Sequence, residues 1–394
     1  MIARWKISIL IFVLTAPSQA DGQEATWRQA FSAGRQHYEG GRYADAEKSL
    51  QRAAELARAG SDDLADSWNW LGLAQWKLAK YPDAEAAHLK ARALYQKLHG
   101  ESSAEFAYST NNLGLVYWVQ GRLKEGDKHL KQALDILKEV EGANGINLAR
   151  GLNNTGGLYR SRGYWKKAEP MLLRSIEIWE FLKFKHGDAA HSYGNFGRLR
   201  AKQGKLAEAV ELYQKALDVS KKKLTAQHPQ VGEHMCYLGD LLREQGKLDA
   251  AEKLLLGGMK IIEVKLPKEH SLRASSLRYL AELRRAQGKT QDALPLFEQS
   301  LAIWAKHTVQ PMGAAESHLG LARLSADTGN AKVAGEHFRS AITIFEKTVG
   351  AASPDLADAL ELHAKFLQPT DVEQAANAKE RAAAVRKQHA EENR

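Results

Sequence analysis

Cysteine is almost missing from this chain: Cys236 is the single one in 394 residues. One thiol excludes an internal disulfide and any cysteine-based zinc framework, so stability has to come from packing, and Cys236 itself reads as a packed small residue. Proline is scarce too, with 9 in the whole chain, and no stretch alternates apolar and polar residues as a half-buried strand does. Catalytic signatures are equally lacking. The 14 histidines include no His-Glu-x-x-His, and there is no Gly-x-Ser-x-Gly. Gly288-Lys289-Thr290 looks like the end of a phosphate loop, but Leu283 stands where the first glycine of such a loop belongs. These absences predict a helical, non-enzymatic protein with no catalytic residue, no cofactor and no metal site.

Long apolar runs are also missing, except at the start. Arg4 and Lys6 precede fourteen uncharged residues, Ile7 to Ala20, with an apolar centre at Ile9 to Leu14, and Ser18-Gln19-Ala20 ends the segment. A charged start, a short apolar core and small residues two apart predict a signal peptide over residues 1–20, cleaved after Ala20. The alternative is a retained anchor, for which the apolar core is short. No cysteine near the cut offers a site for lipid attachment. The expected location is therefore periplasmic or secreted, with no transmembrane segment left after cleavage.

What the chain does have is repetition. Asn112-Leu113-Gly114, Gly121-Arg122-Leu123 and Gly126 return as Asn154-Thr155-Gly156, Gly163-Tyr164-Trp165 and Ala168, then as Asn195-Phe196-Gly197, Gly204-Lys205-Leu206 and Ala209. The first glycines are 42 and then 41 residues apart. One ladder of small residues runs Gly34, Gly72, Gly114, Gly156, Gly197, Gly239, Ala281, Ala322. Two more follow twelve and nineteen residues behind it, starting at Ala46 and Ala53. Small residues at fixed helical positions let two backbones approach closely, and a glycine between ladders stops one helix before the next. Each unit reads as a helical hairpin that cannot bury its apolar face alone, so the array itself is the fold.

These ladders resemble the tetratricopeptide repeat (TPR), in the longer 42-residue form of kinesin light chains, with which the chain also shares the Asn-Leu-Gly signature and a His228-Pro229 step between repeats. The resemblance implies an all-α, right-handed α-solenoid over residues 21–394 with about eight to nine hairpins. The most regular repeats fall at 106–223, and a polar capping helix at 372–394 closes the stack.

In that family the concave groove is lined by the first helix of each hairpin. Carried onto this chain, the resemblance points to Tyr108, Asn112, Arg150, Asn154, Arg160, His191, Asn195, Arg198 and Tyr237 as groove residues. Gly157, on the same face, offers bare backbone. Asparagine is a poor helix former and costly to bury unpaired, so the column Asn112, Asn154, Asn195 has two readings. The amides either hold the backbone of an extended peptide, as the kinesin-light-chain resemblance implies, or bridge neighbouring helices. The tryptophans at 68, 70 and 76 read as packing between hairpins.

Charge bears on the partner. The chain carries a formal net charge of +9 and has a pI of about 9.3, and residues 121–223 alone hold 21 Lys or Arg against 12 Asp or Glu. A basic, amide-lined groove complements an acidic or carboxylate-bearing segment of a partner protein. Nucleic acid is disfavoured, because no aromatic-and-basic recognition motif is present. The expectation is an exported protein–protein interaction scaffold. The alternative is an envelope-associated component that binds anionic surfaces through a basic outer face around Lys166, Lys167 and Lys221 to Lys223.

Overall fold

A computed structural model describes residues 19–183, 187–307, 312–348 and 352–393, with side chains from residue 26 onward. The apolar centre of the expected signal peptide lies outside the described residues. Among the described residues, eighteen α-helices pair in chain order. The hairpins are α1 (Gln19–Glu39) with α2 (Tyr43–Leu56), α3 (Asp62–Lys77) with α4 (Tyr81–His99), and α5 (Ala104–Val119) with α6 (Leu123–Val140). Next come α7 (Ile146–Ser161) with α8 (Trp165–Phe181), α9 (Ala189–Lys202) with α10 (Leu206–Lys223), and α11 (Pro229–Glu244) with α12 (Leu248–Lys265). The array ends with α13 (Ser271–Ala286) and α14 (Thr290–Trp304), α15 (Met312–Asp327) and α16 (Ala331–Thr348), and α17 (Pro354–Leu367) and α18 (Val372–Glu392). No strand occurs among the described residues, and each helix packs mainly on its neighbours in sequence, which makes the molecule an α-solenoid.

The first small-residue ladder has a concrete task. A Cβ at Gly34, Gly114, Gly156 or Gly239 would fall 2.6–2.9 Å from the leucine sixteen residues later, and Gly197 receives the Tyr213 ring in the same way. Each glycine is the socket for a large side chain of the second helix. The alanines of the second ladder, Ala46, Ala84, Ala168, Ala209 and Ala251, are fully buried beside these sockets. In eight of the nine hairpins the chain turns through a left-handed residue, glycine in seven and Ala79 (φ 61°) in the second.

The solenoid also touches itself across its turns. The turn at Gly41 lies against His228 and Pro229, and the Tyr43 and His228 rings meet edge-on at 6.3 Å. His270 donates Nε2–H to the Lys77 carbonyl at 2.8 Å while its Nδ1 accepts from the Leu272 N–H and caps α13. Gly163 packs against Pro354, and Lys202 pairs with Asp355. From the far end, Asn393 accepts from the Lys166 N–H and donates to the Gly163 carbonyl, and the His389 ring sits edge-on to Trp165. The turn of a hairpin thus meets the helix start four or five hairpins further on, and the coil is clasped shut along its length.

Candidate functional site

The inner wall is built from the first helices of the hairpins, as the repeat pattern requires. Two adjoining cavities lie inside. One, of about 420 Å³, is bounded by α3, α5, α7, α9 and α11, and its wall includes Trp70, Tyr108, Asn112, Asn154, His191 and Asn195. The other, of about 710 Å³, is walled in part by Trp118, Arg160, Ser161 and Trp304. Trp118, Val119 and Arg198 belong to both walls, so the two cavities adjoin and together form the inner channel of the coil.

The asparagines form a relay from helix to helix. Asn195 donates to Asn153 (2.9 Å), Asn153 to Asn154 (3.3 Å), and Asn154 to Asn111 (3.2 Å). Asn111 then donates to Asn112 (3.3 Å) and Asn112 to Asn69 (3.2 Å), whose carbonyl oxygen lies 3.1 Å from His88 Nδ1. That oxygen can only accept, so Nδ1 carries the proton. Burial pushes the His88 imidazole down to about 3, so it is neutral. The predicted asparagines therefore do bridge neighbouring helices, and they face the channel as well. An amide has two N–H donors and two acceptor lone pairs, so capacity remains for a guest. Sequence reasoning missed Asn69, Asn111 and Asn153; the doublets Asn111-Asn112 and Asn153-Asn154 were the signal, one neighbour for each direction of the relay.

The arginines answer differently from the expected basic lining. Arg150 places Nε and an Nη on Asp188 at 2.8 and 2.7 Å, donates to Asn147, and lies 5.7 Å from the Tyr108 ring centre. Arg198 donates Nε–H to Tyr213 Oη (2.8 Å) and an Nη–H to Glu233 (3.0 Å), with its guanidinium 3.8 Å from the Tyr237 ring centre. Burial raises the Glu233 carboxyl, but Arg198, His191 and His234 outweigh it and hold the group down to about 2. These carboxylates neutralise much of the predicted positive lining. Burial, with Lys77 adding to it, pushes His191 down to about 4, so it faces the channel as a neutral ring. Tyr237 belongs to neither cavity wall; it stacks on Tyr213 (5.5 Å) and packs on Tyr279 (5.2 Å). Arg160 alone of the predicted arginines is buried with no hydrogen bond to its Nε. Of the remaining sequence readings, Cys236 is buried, and burial raises its thiol.

Comparison with known proteins agrees with this architecture. Residues 104–180 and 278–357 match tetratricopeptide repeat profiles, and residues 150–301 match a MalT-like TPR region. No curated protein matches the chain in sequence. Among solved structures, a Rap protein complexed with competence and sporulation factor superposes with a TM-score of 0.67 at 14% identity, covering 94% of this chain and 99% of that one. The apo form of RapI gives 0.53 at 14% identity with the same coverage. Kinesin-light-chain-like repeats from Podosopora anserina share 26% identity over 52% of this chain and 98% of theirs, with a TM-score of 0.38. At 14% identity the Rap superpositions speak for the fold alone. Together, the sequence ladders, the paired helices and the profile matches place this chain in the tetratricopeptide repeat family.

Proposed function

We propose that this protein is a non-enzymatic interaction scaffold that holds an extended, acidic segment of a partner protein in its inner channel. The observation that carries the reading is the channel wall itself: amides with spare hydrogen-bonding capacity, aromatic faces and arginines converge on one concave, enclosed surface. Side-chain amides suit the backbone of an extended chain, and aromatic rings suit its apolar side chains. The test is a display library of random short peptides panned against native protein and against Leu115→Trp, which narrows the channel beside Asn112 without cutting the amide relay. Enrichment of acidic peptides by the native protein and not by the variant is the expected outcome. Equal enrichment by both removes the channel from the reading.

The N-terminal segment supports export, with the mature chain starting at Asp21. Terminal sequencing of protein expressed in a Gram-negative host checks this, and a retained Met1 overturns it. One observation favours a second reading: Lys166, Lys167 and Lys221 to Lys223 are all exposed and line neither cavity, as an outer binding face requires. If that face is the binding surface, the protein is an envelope component that holds anionic partners. Moderate salt should then release those partners while Leu115→Trp leaves them bound.

A further inference from the structure

Three hairpins carry arginine four residues after the ladder position, at Arg160, Arg243 and Arg285, and two of them pair it with a carboxylate on the same helix. In α11, Arg243 donates Nε–H to Asp240 at 2.8 Å; in α13, Arg285 donates Nε–H to Glu282 at 3.2 Å. Each carboxylate stands three residues before its arginine, on the same helical face. The matching arginine of α7 is Arg160, and three residues before it stands Gly157. Arg160 is 7% exposed, its Nε is buried without a hydrogen-bond partner, and it has no ion pair among the described residues. The charges around it are already engaged: Arg198 by Glu233, and Asp355 by Lys202. A buried cation without a counter-ion is unfavourable, and Arg160 faces the larger cavity. Trp304, on the same wall, has a second buried N–H without an acceptor.

We infer that Arg160 and Gly157 form a binding site for a carboxylate from outside the chain, which takes the place that the Asp240 and Glu282 side chains occupy in the sixth and seventh hairpins. This deepens the channel reading and rests on it in one respect: the carboxylate is supplied by the bound segment, from an acidic side chain or from its C-terminus. The direction of titration agrees. Burial, then Arg198, lowers the Arg160 guanidinium, whereas at Arg243 burial is outweighed by Asp240 and the group is raised. Space agrees too. A Cβ at Gly157 would sit 3.4 Å from Asn195 Nδ2 and 3.6 Å from Trp118, ordinary contact distances, so the first atom of a side chain fits there without a clash.

The geometry offers a paired test by thermal unfolding at constant ionic strength, with chloride as the reference anion. The probes are N-acetylaspartate amide (a side-chain carboxylate), N-acetylalanine (a terminal one) and inorganic phosphate. Native protein should gain Tm in a saturable way with a carboxylate probe, and the better of the two assigns the source. Arg160→Gln should weaken that response at least about tenfold, the order expected for one charge-assisted bond. Gly157→Asp should also abolish it while raising the Tm of the probe-free protein, because it writes the sister hairpins' ion pair into α7. The inference is overturned if Arg160→Gln responds like native protein, if Gly157→Asp both lowers the Tm and still responds, or if phosphate protects more than either carboxylate. Failure of the peptide panning with these responses intact would sink the channel reading and leave the site; peptides bound equally by native protein and Arg160→Gln would do the reverse.

Discussion

Gly41 and Gly246 occupy the same turn in two hairpins, with φ of 70° and 75°, yet their surroundings differ. A Cβ at Gly246 would meet nothing within 4 Å, while one at Gly41 would fall 2.4 Å from Pro229. Both changes to alanine carry the left-handed cost of about 1–2 kcal/mol. Only Gly41→Ala adds overpacking of roughly 1–3 kcal/mol against the next turn of the coil. Denaturant unfolding of the two variants should separate them by that second amount. The opposite change is available in the second hairpin: Ala79 holds φ 61° where seven other hairpins use glycine, so Ala79→Gly should stabilise by about 1 kcal/mol. At this scale the sequence was partly transparent. The small residues and turn glycines announced themselves by spacing, because the ladder residue receives a side chain of the second helix and the turn residue takes a positive φ in one hairpin after another. The direction of the asparagine amides did not, since adjacent positions on one helix face both the channel and the next hairpin.

α18 shows what a single helix adds. Its composition predicted a polar cap; the helix buries Ala375, Ala378, Ala382 and Val385, the last two within the final core, and leaves most of its length exposed. Its end does more, reaching α8 through His389 and Asn393. That contact joins residues 227–230 positions apart, and no pattern local to a helix encodes it. Truncation after Lys387 keeps the buried residues and removes both tethers. Amide exchange around Gly163 and Trp165 should then quicken by roughly five- to tenfold or more, from loss of about 1–2 kcal/mol in hydrogen bonds and ring contact, with α15 to α17 unchanged. Equal protection in the truncated protein would show that the tether carries no stability.

For the whole molecule, the clasps decide how it unfolds. Repeat arrays that touch only their neighbours unravel piecewise. Here the first hairpins also lean on α11 and α13, so loss of the C-terminal half should destabilise the N-terminal half. The repeat period gave the hairpins, but the pitch that brings Gly41 to His228 sums small rotations over five of them and could not be read from residues. The His228-Pro229 step was visible in the sequence; its task as a clasp was not. The clasps are also acid-sensitive. Burial pushes His228 and His270 each down to about 4, and both use Nδ1 as a neutral acceptor. Their folded pKa values lie below the unfolded value near 6.5, so the unfolded chain binds more protons in the interval between. Stability is therefore full above about pH 6.5 and falls as the pH drops toward 4, by up to about 1.4 kcal/mol per pH unit for each histidine. A double His228→Gln, His270→Gln variant should show a shallower fall over that interval in pH-dependent unfolding.

The separation of the clasp partners also fixes an order of events during folding. His270 and Lys77 lie 193 positions apart, so the clasp on the second hairpin closes only after the seventh hairpin has reached the compartment in which the chain folds. Until it closes, the cavities that Tyr108, Asn112 and Trp118 line lack the walls that the later hairpins supply. A segment that is slow to thread the finished coil can be laid in before the clasp closes.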